Sequence, residues 1–176
     1  MLDAGLVAWP PRLPDQPIFY PVLNLDYAVQ ITRDWNAAGE GQVGYATRFE
    51  LDDAYAARFA PQIVGRRDHA ELWVPAEELA ELNRHIRGHI TVERAFFGPK
   101  FRGLVPERGV WSALDAGAQL ADLTKRVSVG DQLDLVVAAN RNAVFLHLPY
   151  WDTLNSSVAT AVRAAWRSQF PSLPAA

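Results

Sequence analysis

Residues 69–79 read HAELWVPAEEL, a short alternating stretch that stops at a proline and turns directly into a helix. Successive side chains of a strand point to opposite faces, so His69, Glu71 and Trp73 are predicted to share one face. The opposite face is small and apolar, as expected of a face that packs against a core. This stretch alone in the sequence poses an imidazole and a carboxylate side by side on one rigid element, about 7 Å apart.

The pair formed by His69 and Glu71 has two interpretations that the residues leave open. Such a pair can hydrogen-bond ribose hydroxyls or serve as general acid and base. Alternatively, Glu71 forms an ion pair with an arginine of a neighbouring strand or turn, and His69 only begins the strand. The arginines available for that second interpretation are Arg48, Arg66 and Arg67.

The composition is that of an ordinary globular chain of 176 residues, with 49% hydrophobic residues, no cysteine and a net charge of −3. The lack of cysteine excludes disulfides, thiolate metal sites and a cysteine nucleophile. The charge balance gives no nucleic-acid footprint, and no apolar run reaches the ~18 residues of a membrane helix. The first residues lack the basic and apolar regions of a secretory signal. We therefore expect a soluble, cytoplasmic protein without membrane or nucleic-acid partners.

The histidines do not have the spacing of a metal site. His85 and His89 are four residues apart, but Gly88 is predicted to end the helix between them. The HExxH pattern of zinc enzymes is not present. We therefore predict no metal cofactor.

The first part of the chain predicts an α+β fold, a small mixed or antiparallel sheet with flanking helices. Asn24 is predicted to cap a helix over residues 25–35, because asparagine is a favoured N-cap. Alternation of apolar and polar residues predicts a strand over residues 45–51. Asp52 is then predicted to cap a short helix over residues 53–59.

The helix that follows Pro75 has the clearest end signals in the sequence. Acidic residues occupy its first turn and basic residues its last turn, as the helix dipole favours. Its apolar stripe is Leu79, Leu82 and Ile86, and Gly88 is predicted to lie just past its end. Another strand is expected over residues 90–97.

The second part of the chain is predicted to be mostly helical. Residues 98–112 contain three glycines and two prolines and are predicted to be a linker. Helices are expected over residues 113–127, 130–141 and 156–170, with a strand over residues 143–148 that carries a structural His147. Trp151 is expected in a partly exposed turn, and Trp35, Trp73 and Trp166 on faces that are core or partly buried.

Three stretches resemble a group of small bacterial proteins that carry the label ADP-ribosylation/crystallin. They are IFYPVLNLDYA (18–28), GYATRFELDDAY (44–55) and HAELWVPAEELAELNRHIRGHI (69–90). More distantly, His69-x-Glu71 followed by apolar residues and Pro75 is similar to the Glu/Gln-x-Glu strand of mono-ADP-ribosyltransferases. The resemblance covers residues 8–97. It implies an ADP-ribosyltransferase-like α+β body at 1–97, a linker at 98–112 and a helical extension at 113–176 packed on the body.

The resemblance also implies an activity, since mono-ADP-ribosyltransferases cleave the nicotinamide–ribose bond of NAD and transfer ADP-ribose. Glu71 would stabilise the oxocarbenium-like transition state, and His69 would stand where the family has the residue that orients the acceptor. NAD would be the substrate. The residues expected to bind it are Phe19, Tyr20, Asn24, Arg48 and Trp73.

A departure from the family pattern favours an alternative without catalysis. Pro21, Val22 and Leu23 stand where the family has a Ser-Thr-Ser strand. The alternative is an inactive module on the same scaffold that binds a nucleotide or a protein partner. Six tryptophans and the Pro-Tyr-Trp segment at 149–151 would supply aromatic anchors for a protein. An immunity-type module that uses its acidic balance against a basic target is a further form of this alternative.

Overall fold

The computed structural model describes residues 1–176 and has a mixed α+β architecture, with small antiparallel sheets and a helical C-terminal part. The predicted α+β class is confirmed at this level. The chain divides into two compact units, the first built from residues 1–35 and 45–94 and the second from residues 36–44 and 95–176. None of the helices is both long and apolar enough to cross a membrane.

The first unit contains strands and helices, which are β1 (Ile18–Phe19), α1 (Leu25–Gln30), β2 (Val43–Leu51), α2 (Asp53–Ala56), β3 (Gln62–Ile63), β4 (Ala70–Glu71), β5 (Val74–Pro75), α3 (Leu79–Arg84) and β6 (Ile86–Phe97). The first two residues of β2 and the last three of β6 are counted with the second unit. Both predicted caps are confirmed. The side chain of Asn24 accepts a hydrogen bond from the backbone N–H of Tyr27 at 2.8 Å. The side chain of Asp52 accepts one from Ala54 at 3.0 Å.

An antiparallel ladder organises the first unit. β1 pairs with β5, with Phe19 opposite Val74, and the same register continues to Val22 opposite Glu71. On its other side β4 pairs with β3, with Gln62 opposite Glu71. Glu71 therefore lies on the middle one of three neighbouring segments, where a side chain is most completely surrounded.

The predicted assignment of faces around Glu71 is confirmed. Leu72 and Val74 are buried in the core of the first unit, in one cluster with Tyr55, Leu79 and Leu82. Phe19 and Phe49 pack against this cluster from its margin. Because the core takes one face of residues 70–74, Glu71 and Trp73 project from the other.

Three predictions in the first unit are wrong, and one of them is the expected burial of Trp73, which is 47% exposed. The helix after Pro75 ends at Arg84 instead of at Gly88, because the carbonyl of His85 already accepts a hydrogen bond from Asp52 N–H at 3.0 Å. Gly88 therefore lies within β6, at φ 69°. Trp35 is 57% exposed. It belongs to a π-helical turn, Ile31–Asn36, that follows α1, so its side chain does not point where a continuous α-helix over residues 25–35 would place it.

The second unit is a group of packed helices. They are α4 (Ala116–Ser128), α5 (Asp134–Ala139), α6 (Arg141–Leu154) and α7 (Ser156–Gln169). α7 packs against the other three helices. The buried tryptophans of this unit are Trp111, Trp151 and Trp166, each fully inaccessible to solvent.

The predicted strand over residues 143–148 is wrong, because those residues lie in the middle of α6. A helix that is packed on several sides is apolar all round, and its sequence resembles that of a buried strand. Trp151 lies in the same helix and is fully buried, against the expectation of a partly exposed turn.

Candidate functional site

The carboxylate of Glu71 is the centre of the candidate site. The Glu71 residue is 8% exposed. Its carboxylate accepts a hydrogen bond from the indole Nε1 of Trp73 at 2.7 Å. An ionised carboxylate is costly to bury unless charged or several neutral partners compensate it, and a single indole N–H is a weak compensation. A buried carboxylate with a single hydrogen-bond donor is a candidate for a functional role.

The predicted ion pair between Glu71 and an arginine is not formed. Arg48 pairs with Glu50 at 2.5 Å. Arg66 pairs with Asp68 at 3.3 Å. Both arginines are exposed, so these contacts contribute little to stability. Neither Glu71 nor Arg67 takes part in an ion pair, so the structural interpretation of Glu71 as half of a cross-strand ion pair is wrong.

His69 is held by helix α1. Its ring stacks on Tyr27 with the ring centres 4.1 Å apart and the planes 3° from parallel. Its Nε2 lies 3.1 Å from Oε1 of Gln30. The residue is 9% exposed. Tyr27 and Gln30 lie three residues apart on one side of α1, which is the spacing at which helical side chains can hold one group between them.

Tyr27 connects the histidine and the carboxylate electrostatically. Burial raises the pKa of the Tyr27 phenol, and the negative charge of Glu71 raises that pKa further. The phenol therefore stays protonated and neutral near pH 7. The side chains of Tyr27, Gln30, His69, Glu71 and Trp73 form one small polar and aromatic cluster, which we call the His/Glu cluster.

Asn24 fixes the position of α1 over this cluster. Besides capping α1, its side-chain Nδ2 donates to the carbonyl of Asp68 at 2.7 Å. Asp68 immediately precedes His69. One asparagine thus fixes both the start of the helix and the start of the strand whose side chains meet in the His/Glu cluster.

Two pockets adjoin each other between the α1 segment and β2. They share four lining residues, Val22, Ala28, Thr47 and Phe49. The first pocket has a volume of about 170 Å³ and an aromatic lining that includes Trp9, Phe19, Tyr20 and Tyr45. The second has a volume of about 490 Å³ and a more polar lining that includes Asn24, Arg48 and Glu93. We call the two together the α1–β2 groove.

The predicted site residues are divided between these two places. Phe19 and Tyr20 line the aromatic end of the α1–β2 groove, and Asn24 and Arg48 line its polar end. Trp73 lies outside both pockets, 47% exposed, with its ring edge against Tyr20 at 6.0 Å between centres. His69 and Glu71 also lie outside the two pockets, in the His/Glu cluster.

Sequence reasoning missed three residues around the site, Trp9, Tyr27 and Gln30. A signal for two of them is present, because the Asn24 cap fixes where α1 starts and so places Tyr27 and Gln30 on one side of the helix. Trp9 carries no comparable local signal. Trp9 belongs to an N-terminal segment whose backbone is hydrogen-bonded by the side chain of Asn83, a residue 74 positions later in the sequence.

The chain has no group of three or more histidine, cysteine, aspartate or glutamate side chains placed to hold a metal ion. Comparison with protein-family models, with curated proteins and with solved structures found no match. The groove and the His/Glu cluster are therefore the features that bear on function.

Proposed function

We propose that this protein is a binding module on an ADP-ribosyltransferase-like scaffold, with NAD as its ligand and the α1–β2 groove as its site. One observation carries the proposal. Four residues expected to bind NAD, which lie as far apart in the chain as Phe19 and Arg48, line two adjoining pockets. Flat rings and an arginine beside an open cavity match the rings and phosphates of a dinucleotide.

Binding without turnover is favoured by the state of the His/Glu cluster. A carboxylate that stabilises an oxocarbenium-like transition state must lie against the ribose that develops the charge. Glu71 is instead 8% exposed and bound to Trp73. His69 is occupied by Tyr27 and Gln30, so a role in orienting an acceptor requires α1 to move.

Calorimetric titration with NAD tests the proposed site. The native chain should bind NAD, and Arg48→Ala should weaken binding about tenfold, because a lost charge-assisted hydrogen bond to phosphate has roughly that effect. Ala28→Phe should abolish binding, because Ala28 lines both pockets and a larger side chain would fill them.

Arg33→Ala is the matched control for Arg48→Ala. Arg33 is similarly exposed, is also paired with an acidic neighbour and lines neither pocket. Its variant should bind NAD as the native chain does. Equal loss of NAD affinity in the two arginine variants would mean that only net charge matters, and it would reject the groove as the binding site.

Cleavage of NAD is a second candidate, favoured by the position of the Glu71 carboxylate next to His69 and Trp73, with a single hydrogen bond from the Trp73 indole. In that reaction the bond from the nicotinamide nitrogen to ribose C1′ breaks and its electron pair leaves with nicotinamide. Water or an acceptor then bonds to C1′ and loses a proton. Trp73 is half-exposed, so rotation of its indole releases the carboxylate toward a ligand.

Chromatographic measurement of nicotinamide release at saturating NAD distinguishes NAD binding from NAD cleavage. Turnover by the native chain, with none in Glu71→Gln that still binds NAD, would assign the reaction to Glu71. NAD bound by the native chain without nicotinamide release over many hours would leave the binding module as the function.

A further inference from the structure

A third pocket adjoins the polar end of the α1–β2 groove and is built from residues of β2 and β6. Its volume is about 210 Å³, and its lining includes Arg48, Glu50, Arg87, Gly88, His89 and Thr91. We call it the Arg87 pocket. Arg48 and Phe49 line both this pocket and the second pocket of the groove. A ligand that lies in the groove against Arg48 is therefore next to a further cavity that the same arginine lines.

The basic side chains of the Arg87 pocket are open to solvent. The side chain of Arg48 is 64% exposed and that of Arg87 is 61% exposed. His89 is exposed as well. A Cβ atom added at Gly88 would meet no other atom within 4 Å, so the space over the backbone is also free. A ligand therefore reaches these groups without movement of a strand or helix.

Both arginines keep hydrogen-bond donors for a ligand. Arg48 donates from Nη2 to Oε1 of Glu50 at 2.5 Å, and Arg87 donates from Nη2 to Oδ2 of Asp52 at 2.5 Å. A guanidinium group has five N–H donors, so these contacts leave donors on the other nitrogens. Exposed ion pairs contribute little free energy, so their exchange for a bound anion costs little.

The charges that line the Arg87 pocket favour an anion. Two guanidinium groups face one carboxylate, that of Glu50. The second carboxylate, that of Asp52, lies outside the lining, and its other oxygen caps α2 by accepting from Ala54 N–H at 3.0 Å. The imidazole of His89 adds another hydrogen-bond donor to the pocket.

A phosphate monoester fits this lining in shape and charge. It carries about −1.5 to −2 charge at pH 7 and has three strong acceptor oxygens. The planar fork of a guanidinium group matches phosphate oxygens in pairs. The volume of about 210 Å³ is several times the ~30 Å³ share of a water molecule, which leaves room for a five-atom phosphate group. In dinucleotide-binding proteins, a nearby arginine accommodates the 2′-phosphate that distinguishes NADP from NAD.

We propose that the Arg87 pocket binds a phosphate monoester, and that it thereby makes the α1–β2 groove selective for a dinucleotide with a 2′-phosphate. The proposal rests on the proposed function in taking a dinucleotide to be the ligand of the groove. Arg87 is then the residue that distinguishes NADP from NAD, and Arg48 contacts both ligands.

Calorimetric titration of the full chain with NAD and with NADP tests the selectivity. NADP should bind about tenfold more tightly than NAD, the ratio that one charge-assisted hydrogen-bonding contact gives. In spectra of the backbone amides, NADP should move the resonances of residues 87–91, and NAD should leave them unmoved. Equal affinity of the native chain for the two nucleotides, or unmoved amides at residues 87–91 with NADP, would overturn the selectivity.

Two arginine variants identify the group that contacts the phosphate. Arg87→Ala should bind NADP and NAD equally, with the NAD affinity of the native chain. Arg84→Ala is the matched control and should keep the tenfold preference, because Arg84 is 70% exposed, is paired with Glu81 and lines none of the three pockets. If Arg87→Ala does not fold, Arg87→Lys should retain only part of the preference, since it keeps the charge without the planar fork.

The same titrations distinguish this proposal from the proposed function. Equal binding of NAD and NADP would retain the groove and reject the Arg87 pocket. If neither nucleotide binds, the dinucleotide is rejected, and inorganic phosphate is the remaining probe. Phosphate-induced shifts at residues 87–91 that are lost in Arg87→Ala would then retain the pocket as a site for free phosphate, and unmoved amides would reject the pocket too.

Discussion

Two histidines are buried in this chain, His69 in the first unit and His147 in the second, and their ring nitrogens are used differently. In His147, Nε2 accepts from the backbone N–H of Leu104 at 2.7 Å, and Nδ1 lies 2.8 Å from Oε1 of Gln119. The neutral ring therefore carries its proton on Nδ1. In His69 one ring nitrogen meets Gln30, and the ring face is taken by Tyr27.

The hydrogen bonds around His147 form a closed set. The side-chain amide of Gln119 donates to the carbonyls of Leu104 at 3.0 Å and Leu114 at 2.7 Å. The set ties the segment before α4 to α4 and α6, so its function is structural. Burial alone thus does not mark a functional histidine. An incomplete set of partners next to a buried carboxylate is the better indicator, and it is found only at His69.

The largest expected effect comes from removing the closed set. His147→Ala should lower the free energy of unfolding by about 4 kcal/mol, because it leaves a cavity and several unpaired buried groups. Urea unfolding measures this loss. His89→Ala, at an exposed position, should change stability by less than about 0.5 kcal/mol. A similar, small effect of both variants would contradict the structural role of His147.

Acid should weaken the second unit through the same residue. Burial lowers the pKa of His147 from 6.5 to about 4. Between these values the unfolded chain binds a proton that the native chain does not. Stability from this group is therefore complete above pH 6.5, falls as the pH drops toward 4 and is lost below it, by about 3 kcal/mol in total. Plots of the free energy of unfolding against pH should differ in slope between the native chain and His147→Gln only within this window. Parallel plots would contradict the depressed pKa of His147.

Gly103 provides a steric test of the same contact. Its φ is 71°, and an added Cβ would clash with Nε2 of His147. Gly109 has a φ of 87° with open space around it, so it isolates the backbone strain. Gly103→Ala should lose about 2 kcal/mol more than Gly109→Ala in urea unfolding, because the imidazole cannot retreat. Equal losses of unfolding free energy in the two variants would show that the backbone around Gly103 shifts to relieve the clash with His147.

The smallest expected effect is at the His/Glu cluster and has the opposite sign. Glu71→Gln keeps an acceptor for the Trp73 indole and removes a poorly compensated buried charge. The free energy of unfolding should rise by about 1 kcal/mol at pH 7. A chemical denaturation experiment that finds a loss of 1 kcal/mol or more would instead assign Glu71 to the structural framework and end its candidacy as a functional group.

The sequence predicted best what local chemistry determines. Asn24 and Asp52 mark their helices because a cap needs only neighbouring backbone groups. The alternation in residues 69–74 correctly placed Leu72 and Val74 in the core and Glu71 opposite them. A strand was predicted where α6 lies, because five of the six residues 143–148 are apolar and only the packing of neighbouring helices explains that.

The groove and the His/Glu cluster were only partly predictable for a related reason. Glu71 and His69 were identified from two-residue spacing, but their actual partners depend on how α1 crosses the strand. The position of Trp9 depends on a contact with Asn83, far along the chain, which no local pattern encodes. Local rules thus located the candidate groups, and tertiary packing determined which of them are available to a ligand.

The most direct test of the proposed site is a chemical-shift map of the backbone amides during titration with NAD. We expect the shifts to concentrate at residues 22–28 and 45–49, which line the α1–β2 groove, while the amides around His147 at residues 103–119 stay unmoved. Unchanged spectra at millimolar NAD, or shifts centred on the second unit, would contradict the proposed function.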